Sequence, residues 1–233
     1  MNRSPSDSKR TISVVVGEDG FLAREAITKL LEATDGIELV AVCEDAPSLR
    51  AAIEENDPDL VLTDIRMPPT NRDEGITLAL ELRDTHPEIG VVVLSQHADP
   101  TYASLLFERG SERRAYLLKE SIKDEVELAR VLSTVADGGS AVDPVVVEQL
   151  LATRRRRDDA RLDELTPREL EILALIAEGK SNAAIAEKLV VTKRAVERHI
   201  NGIFFKLGLR DAGQVSRRVK AALLYLSGQG AAP

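Results

Sequence analysis

Apolar and polar positions alternate in blocks along the first 137 residues. Short β-branched runs at Ile12–Val16, Ile37–Cys43, Leu60–Thr63, Val91–Leu94 and Ala115–Leu118 predict strands. Between and after them, apolar residues recur at helical spacing, which predicts helices around Phe21–Thr34, Ala46–Glu55, Gly75–Thr85, Thr101–Arg109 and Ile122–Asp137. Runs such as "ISVVV" and "VVVL" carry no polar alternation, so these strands are expected to be buried on both faces. Five strand–helix units in succession predict a doubly wound α/β domain with a five-stranded parallel sheet.

The pattern changes at "DGGSAVDP", Asp137–Pro144, where Gly, Ser and Pro punctuate the chain. Residues 138–161 are expected to be a linker with one short amphipathic helix, Val145–Ala152, running into "RRRRDD". Such a run is more often a solvated face than a site; the functional readings are an auxiliary phosphate contact or a clamp between domains. Beyond it, Thr166, Pro167 and Glu169 form a capping box at a helix start. Leu170, Leu173, Ala174 and Ala177 keep helical spacing until Gly179. Ser181 or Asn182 caps a second short helix, and Thr192 caps a third with Val196, Ile200, Ile203 and Leu207 on one face. A fourth helix is expected over Ala212–Leu226. Closely spaced capped helices of this kind read as a small all-α helix-turn-helix domain. The expected domains are therefore 10–137, a linker over 138–161, and 162–228.

Charge sharpens that division. Residues 1–150 hold 15 Lys+Arg against 29 Asp+Glu, whereas residues 151–233 hold 16 against 10, beneath a net charge of -8. An acidic front and a basic back imply different partners, with a polyanion for the second. The single cysteine, Cys43, excludes an internal disulfide framework and a cysteine-based zinc site. His86, His97 and His199 are scattered. No apolar run approaches the ~18 residues of a membrane helix, and "MNRSPSDSKR" lacks the apolar stretch of a signal peptide. A cytoplasmic protein without membrane partners is expected.

The chemistry collects at the strand ends. Glu18-Asp19 follows the first strand, Asp64 the third, Ser95 the fourth and Lys119 the fifth. In a parallel sheet these carboxyl ends share one edge, where ligands bind. Any one of them alone reads as a turn, capping or surface residue; their joint placement carries the inference. Two like charges ~4 Å apart repel by about 4 kcal/mol at an effective dielectric of about 20. Three carboxylates therefore call for a hard cation, and Mg²⁺ suits oxygen-only ligands. Asp64 would then be a nucleophile toward phosphorus, with Ser95 donating to one phosphoryl oxygen and Lys119 supplying charge to another.

"VVVGEDG", "VLTDIRMPP", "VVVLSQH" and "AYLLKE" resemble the receiver domain of two-component response regulators, of flavodoxin-like fold, over about residues 10–137. The resemblance implies Mg²⁺ held by Glu18, Asp19, Asp64 and the main-chain carbonyl of Arg66. It also implies phosphoryl transfer from a sensor histidine kinase to Asp64. Ser95 and the aromatic Tyr116 would act as the switch, with Gln96 and His97 placed to tune the phosphoryl lifetime. Two loops, "RMPPTNRDEG" and "ERGSERRAY", are longer than is usual for the family. Two rivals stand beside this reading. One is a receiver-type regulator working by protein contact without phosphorylation. The other is an aspartyl-phosphate phosphatase, which would require an acid where Arg66 stands.

"LTPRE" and the run from Val196 to Gly208 resemble the LuxR-type DNA-binding domain of NarL/FixJ regulators, over residues 162–226. By that match Glu197, Arg198 and Asn201 take positions of base contact, and Lys193, Arg194 and Lys206 those of backbone contact. The family commonly has Lys where Glu197 stands; a carboxylate there can accept from cytosine. His199 faces the core by its spacing. "EGKS" is not a phosphate loop, because Ala174 stands where a glycine is required. The whole implies a transcription regulator that is not an enzyme beyond its own phosphoryl transfer and dephosphorylation, that dimerises, and that binds double-stranded promoter DNA.

Overall fold

In the computed structural model, residues 11–209 and 217–229 are described. The expected boundary at residue 10 and the first turn of the helix expected from Ala212 lie outside them. The chain divides into two compact units, Met1–Leu150 and Leu151–Pro233.

The first unit is built on a parallel sheet. Its strands are β1 (Ile12–Gly17), β2 (Ile37–Cys43), β3 (Leu60–Asp64), β4 (Gly90–Ser95), β5 (Arg114–Leu118) and β6 (Ser140–Val142), in the order β2-β1-β3-β4-β5-β6. Helices α1 (Phe21–Glu32), α2 (Ala46–Asn56), α3 (Glu74–Thr85), α4 (Pro100–Phe107) and α5 (Glu125–Ala136) follow the first five strands, α5 after a short 3₁₀ turn. Period-two alternation splits each central strand between two cores. Val61, Val91 and Val93 pack on one side with Val15 and Tyr116; Leu60, Leu62, Val92 and Leu94 pack on the other with Val14 and Val16. Each such side chain stabilises the fold by about 1.5–3 kcal/mol, so both faces hold β3 and β4 in register. Acidic caps start α2, α4 and α5: the side chains of Asp45, Asp99 and Asp124 accept from Ser48 N, Thr101 N and Glu127 N.

The sheet has one strand more than the five expected. Part of the segment assigned to the linker, Ser140–Val142, pairs with β5 in parallel, Tyr116 opposite Val142. Two apolar residues are too short a run to show as a strand; pairing with an open edge makes them one. The rest of the expected linker is also ordered. Instead of a short helix and a charged tail there is one 20-residue helix, α6 (Pro144–Asp163). Asp143 starts it, its Oδ1 accepting from Val145 N while its own amide donates to the Tyr116 carbonyl. Arginine is a good helix former, so the charge run propagates the helix despite lacking an apolar stripe. Val146 of α6 is buried in the first unit's core.

The second unit packs α7 (Pro167–Ala177), α8 (Asn182–Lys188), α9 (Lys193–Lys206) and α10 (Arg217–Gln229) around Ile172, Leu173, Ile176, Ile185, Val196, Ile200 and Ile203. The capping box at Thr166 forms as expected. Gly179 turns the chain out of α7 at φ 79°, and Ser181 and Thr192 cap α8 and α9 through Ala184 N and Ala195 N.

Candidate functional site

The strand ends meet. Oxygens of Glu18, Asp19 and Asp64 all lie within 4.8 Å of one another. The Lys119 ammonium sits between two of them, 2.8 Å from Asp64 Oδ2 and 2.6 Å from Glu18 Oε2. Glu18 Oε2 is buried, and the Lys119 ammonium is its charge partner. Glu18 Oε1 accepts from Gly20 N at 3.1 Å and Asp64 Oδ1 from Ile65 N at 2.7 Å. Burial pushes the Glu18 carboxyl up, against the pull of Lys119. Burial alone would lower Lys119, but the Asp64 and Glu18 carboxylates outweigh it and hold the ammonium above its ordinary range. The site is therefore anionic and one ammonium compensates only part of it. Three convergent carboxylates, with one of them, Asp19, exposed and outside the Lys119 ion pairs, fit a hard divalent cation such as Mg²⁺.

The walls of this cleft, about 300 Å³, include Arg66, Asn71, Ser95, Gln96, His97 and Tyr102. Ser95 Oγ donates to the His97 carbonyl at 2.7 Å, and Tyr116 Oη reaches the same carbonyl at 3.3 Å. Tyr116 is fully buried, and burial pushes its phenol up. Ser95 and Tyr116 thus share one acceptor.

Sequence reasoning missed several supports. Arg24 Nη1 donates to the carbonyls of Glu18 and Asp19 at 3.0 Å each, and Arg24 pairs with Glu44 at 2.8 Å. The long loop after Asp64 is tied together by Glu74. Its buried carboxylate accepts from Thr70 N at 3.0 Å, Arg72 N at 2.9 Å and Met67 N at 3.5 Å, and from the Thr70 hydroxyl. From outside, Tyr102 Oη donates to the Arg72 carbonyl at 3.3 Å. Burial by itself would raise Glu74, but the Thr70 hydroxyl and the loop amides hold it down at about 2. The unusual loop length was the available signal. A group depressed in the folded state stabilises above its unfolded pKa and loses that contribution as pH falls through the folded one. Glu74→Gln puts an amide NH₂ against N–H donors and should destabilise by about 2 kcal/mol at neutral pH. The gap should narrow between about pH 4.5 and 2, as thermal unfolding of both proteins across that range would show.

In the second unit, α9 exposes Lys193, Arg194, Glu197, Arg198 and Asn201 while burying Val196, Ile200 and Ile203. Glu197 lies 3.9 Å from Lys193. Lys206 departs from this group: its ammonium is 2.6 Å from Glu169 Oε2, which also serves the Thr166 cap. Burial works against the Glu169 carboxylate, yet Lys206 and the Thr166 donors hold its pKa low. His199 is half-buried, in keeping with its expected inward side.

A parallel sheet with an acidic cluster and a lysine at its carboxyl edge, followed by a helix-turn-helix unit, defines a two-domain signalling regulator. Matches to known families agree: a response regulator receiver domain over residues 14–130, and the luxR family of bacterial regulatory proteins over 163–219. The chain is 31% identical to the transcriptional regulatory protein DegU of Brevibacillus brevis, covering 92% of this chain and 94% of DegU. It is 30% identical to the transcriptional regulatory protein LnrK of Bacillus subtilis, covering 88% and 94%. Among solved structures, RcsB of Salmonella enterica serovar Typhimurium, bound to promoter P1flhDC with the phosphomimetic BeF3-, aligns with TM-score 0.50 at 26% identity, covering 94% and 100%. The chain belongs to the response regulators that join a receiver to a LuxR-type DNA-binding domain and regulate transcription. No helix among the described residues is long and apolar enough to cross a membrane.

Proposed function

We propose that this regulator is switched by phosphorylation of Asp64 from a sensor histidine kinase in the cytoplasm. The observation that carries this is the Lys119 ammonium set against Asp64 and Glu18 where three carboxylates converge. Asp64 is the nucleophile, Lys119 the counter-charge for the phosphoryl group, and Ser95 the donor that leaves His97 for it. Glu18, Asp19, Asp64 and the Arg66 carbonyl would hold Mg²⁺, which when bound would supply charge to neutralise phosphoryl oxygens. Losing Ser95 frees the His97 carbonyl, which Tyr116 then holds alone. The rearranged β4–α4 segment reports the event to the surface. The chemistry assigned to the protein is its own phosphoryl transfer and dephosphorylation.

Output is through DNA. Arg198, Asn201 and Glu197 read base edges and Lys193 and Arg194 grip phosphates, while Lys206 anchors α9 to α7 through Glu169. As in other helix-turn-helix regulators, two copies would present paired α9 helices to half-sites one helical turn apart, so the working form is a homodimer on promoter DNA. The test compares footprints on genomic DNA with and without a small acyl phosphate and Mg²⁺. Protection that strengthens with the donor supports the reading; donor-independent protection favours a contact-only regulator. Arg198→Ala should weaken binding to a selected site by about tenfold or more, and binding to random-sequence duplex by much less. Titrations on the two duplexes read this directly.

A further inference from the structure

The arginine run is unused by the reading above. Arg154, Arg155, Arg156 and Arg157 are exposed residues of α6. They fall in the same compact unit as α9. At 3.6 residues per turn, Arg154, Arg157 and Arg161 share roughly 60° of the helix circumference over about 10 Å of its length. Arg155 and Arg156 point elsewhere. Leu162, which packs against the helical core, fixes the rotation of this part of α6 within the unit. Arg161 joins the stripe to the recognition helix: a side chain at Gly208, just past the end of α9, would meet the Arg161 guanidinium at 3.4 Å. A cation there complements the negative end of the α9 dipole, so Arg161 has a structural role of its own.

Arg154 and Arg157 have none. No carboxylate pairs with either among the described residues. Asp158, one turn from Arg154, forms no ion pair with it, and the basic-before-acidic order is the weaker orientation on a helix. The like charges at i,i+3 and i,i+4 repel. A self-repelling row of guanidiniums is relieved by a polyanion, and each planar fork can hold two oxygens of a phosphate. Bases are read from the N-terminal part of a recognition helix, and its C-terminal end can lie against the backbone. A basic row continuing from that end is placed to follow the flanking phosphates.

We propose that Arg154 and Arg157 are an auxiliary phosphate-binding stripe on α6, extending the duplex DNA footprint beyond the helix-turn-helix unit. The proposal rests on the DNA-binding reading and adds sites outside it. The experiment titrates full-length protein against a random-sequence duplex by fluorescence anisotropy across a range of salt concentrations. Each phosphate contact contributes about 0.9 to the slope of log affinity against log salt. Arg154→Gln/Arg157→Gln should therefore flatten the slope by about 1.8. For a fourfold rise in salt, the wild type should lose about tenfold more affinity than this variant. Arg155→Gln/Arg156→Gln controls for net charge, Arg194→Gln for the α9 contact, and circular dichroism for helix content. A flattened slope in the first variant but not in the control of equal charge supports the stripe. An unchanged slope, while Arg194→Gln still weakens binding, overturns the stripe and leaves the recognition helix standing. Equal flattening in both double variants overturns it too, since the effect would belong to charge rather than to one face. Failure of the wild type to bind duplex at all overturns both readings.

Discussion

Asp64→Asn should abolish acceptance of phosphate from a small acyl phosphate while leaving the receiver folded. The amide nitrogen delocalises its lone pair into the carbonyl and cannot form the acyl phosphate that a carboxylate oxygen forms. One oxygen remains to accept from Ile65 N or Lys119, which now hold Oδ1 and Oδ2 at 2.7 and 2.8 Å. The substitution also removes one of three mutually repelling carboxylates, offsetting the lost ion pair. Function should therefore fall below detection while the melting temperature moves by only a few degrees. Phosphate-affinity electrophoresis and thermal unfolding read the two effects separately. Acyl phosphate still forming in the variant would place the acceptor elsewhere and dissolve the role given to Lys119.

Much of this pocket could be read without coordinates because a parallel sheet turns chain order into spatial convergence. Once the five longer strands are recognised, Glu18, Asp19, Asp64, Ser95 and Lys119 have only one edge to share. The helix-turn-helix unit was legible for a local reason: Thr166, Ser181 and Thr192 each satisfy amides within three residues. What escaped depends on distant partners. β6 exists through its register with β5 rather than through its two apolar residues. Glu74, at the head of α3, has the pattern of a solvated first-turn acid, yet it turns inward because a lengthened loop supplies its donors. Lys206 belongs to the basic face of α9 by pattern, but a carboxylate 37 residues earlier holds it. The α6 charge run lacks the apolar periodicity by which helices are recognised, and its order comes from propensity and from packing at its two ends.

Gly75→Ala should have the second largest effect, with a sign opposite to helix propensity. Alanine is favoured over glycine inside a helix by about 1 kcal/mol, and Gly75 is the second residue of α3. A Cβ there, however, would lie 1.8 Å from the Asp64 carbonyl oxygen and 3.0 Å from Thr63 Oγ1. The obstacle is backbone at the end of β3, a fully buried strand held between β1 and β4. Neither rotamer change nor a flexible tip can relieve the overlap, so either α3 tilts away or the end of β3 shifts. Overpacking of this kind outweighs the propensity gain, and we expect a net loss of about 3 kcal/mol. The consequence for chemistry is larger than for stability. Gly75 N donates to the Ile65 carbonyl at 2.9 Å, so the seating of α3 is tied to the backbone of Asp64 and Ile65, and a shift there would displace the Asp64 carboxylate with it. A displacement of about 1 Å at a reacting group lowers rates by about a hundredfold. Phosphorylation from a small acyl phosphate, measured well below the variant's melting temperature, should slow by at least tenfold. A variant as stable as the wild type and equally fast would show that the approach of α3 to β3 is looser than 1.8 Å implies, and that Asp64 is oriented by its own side-chain partners alone.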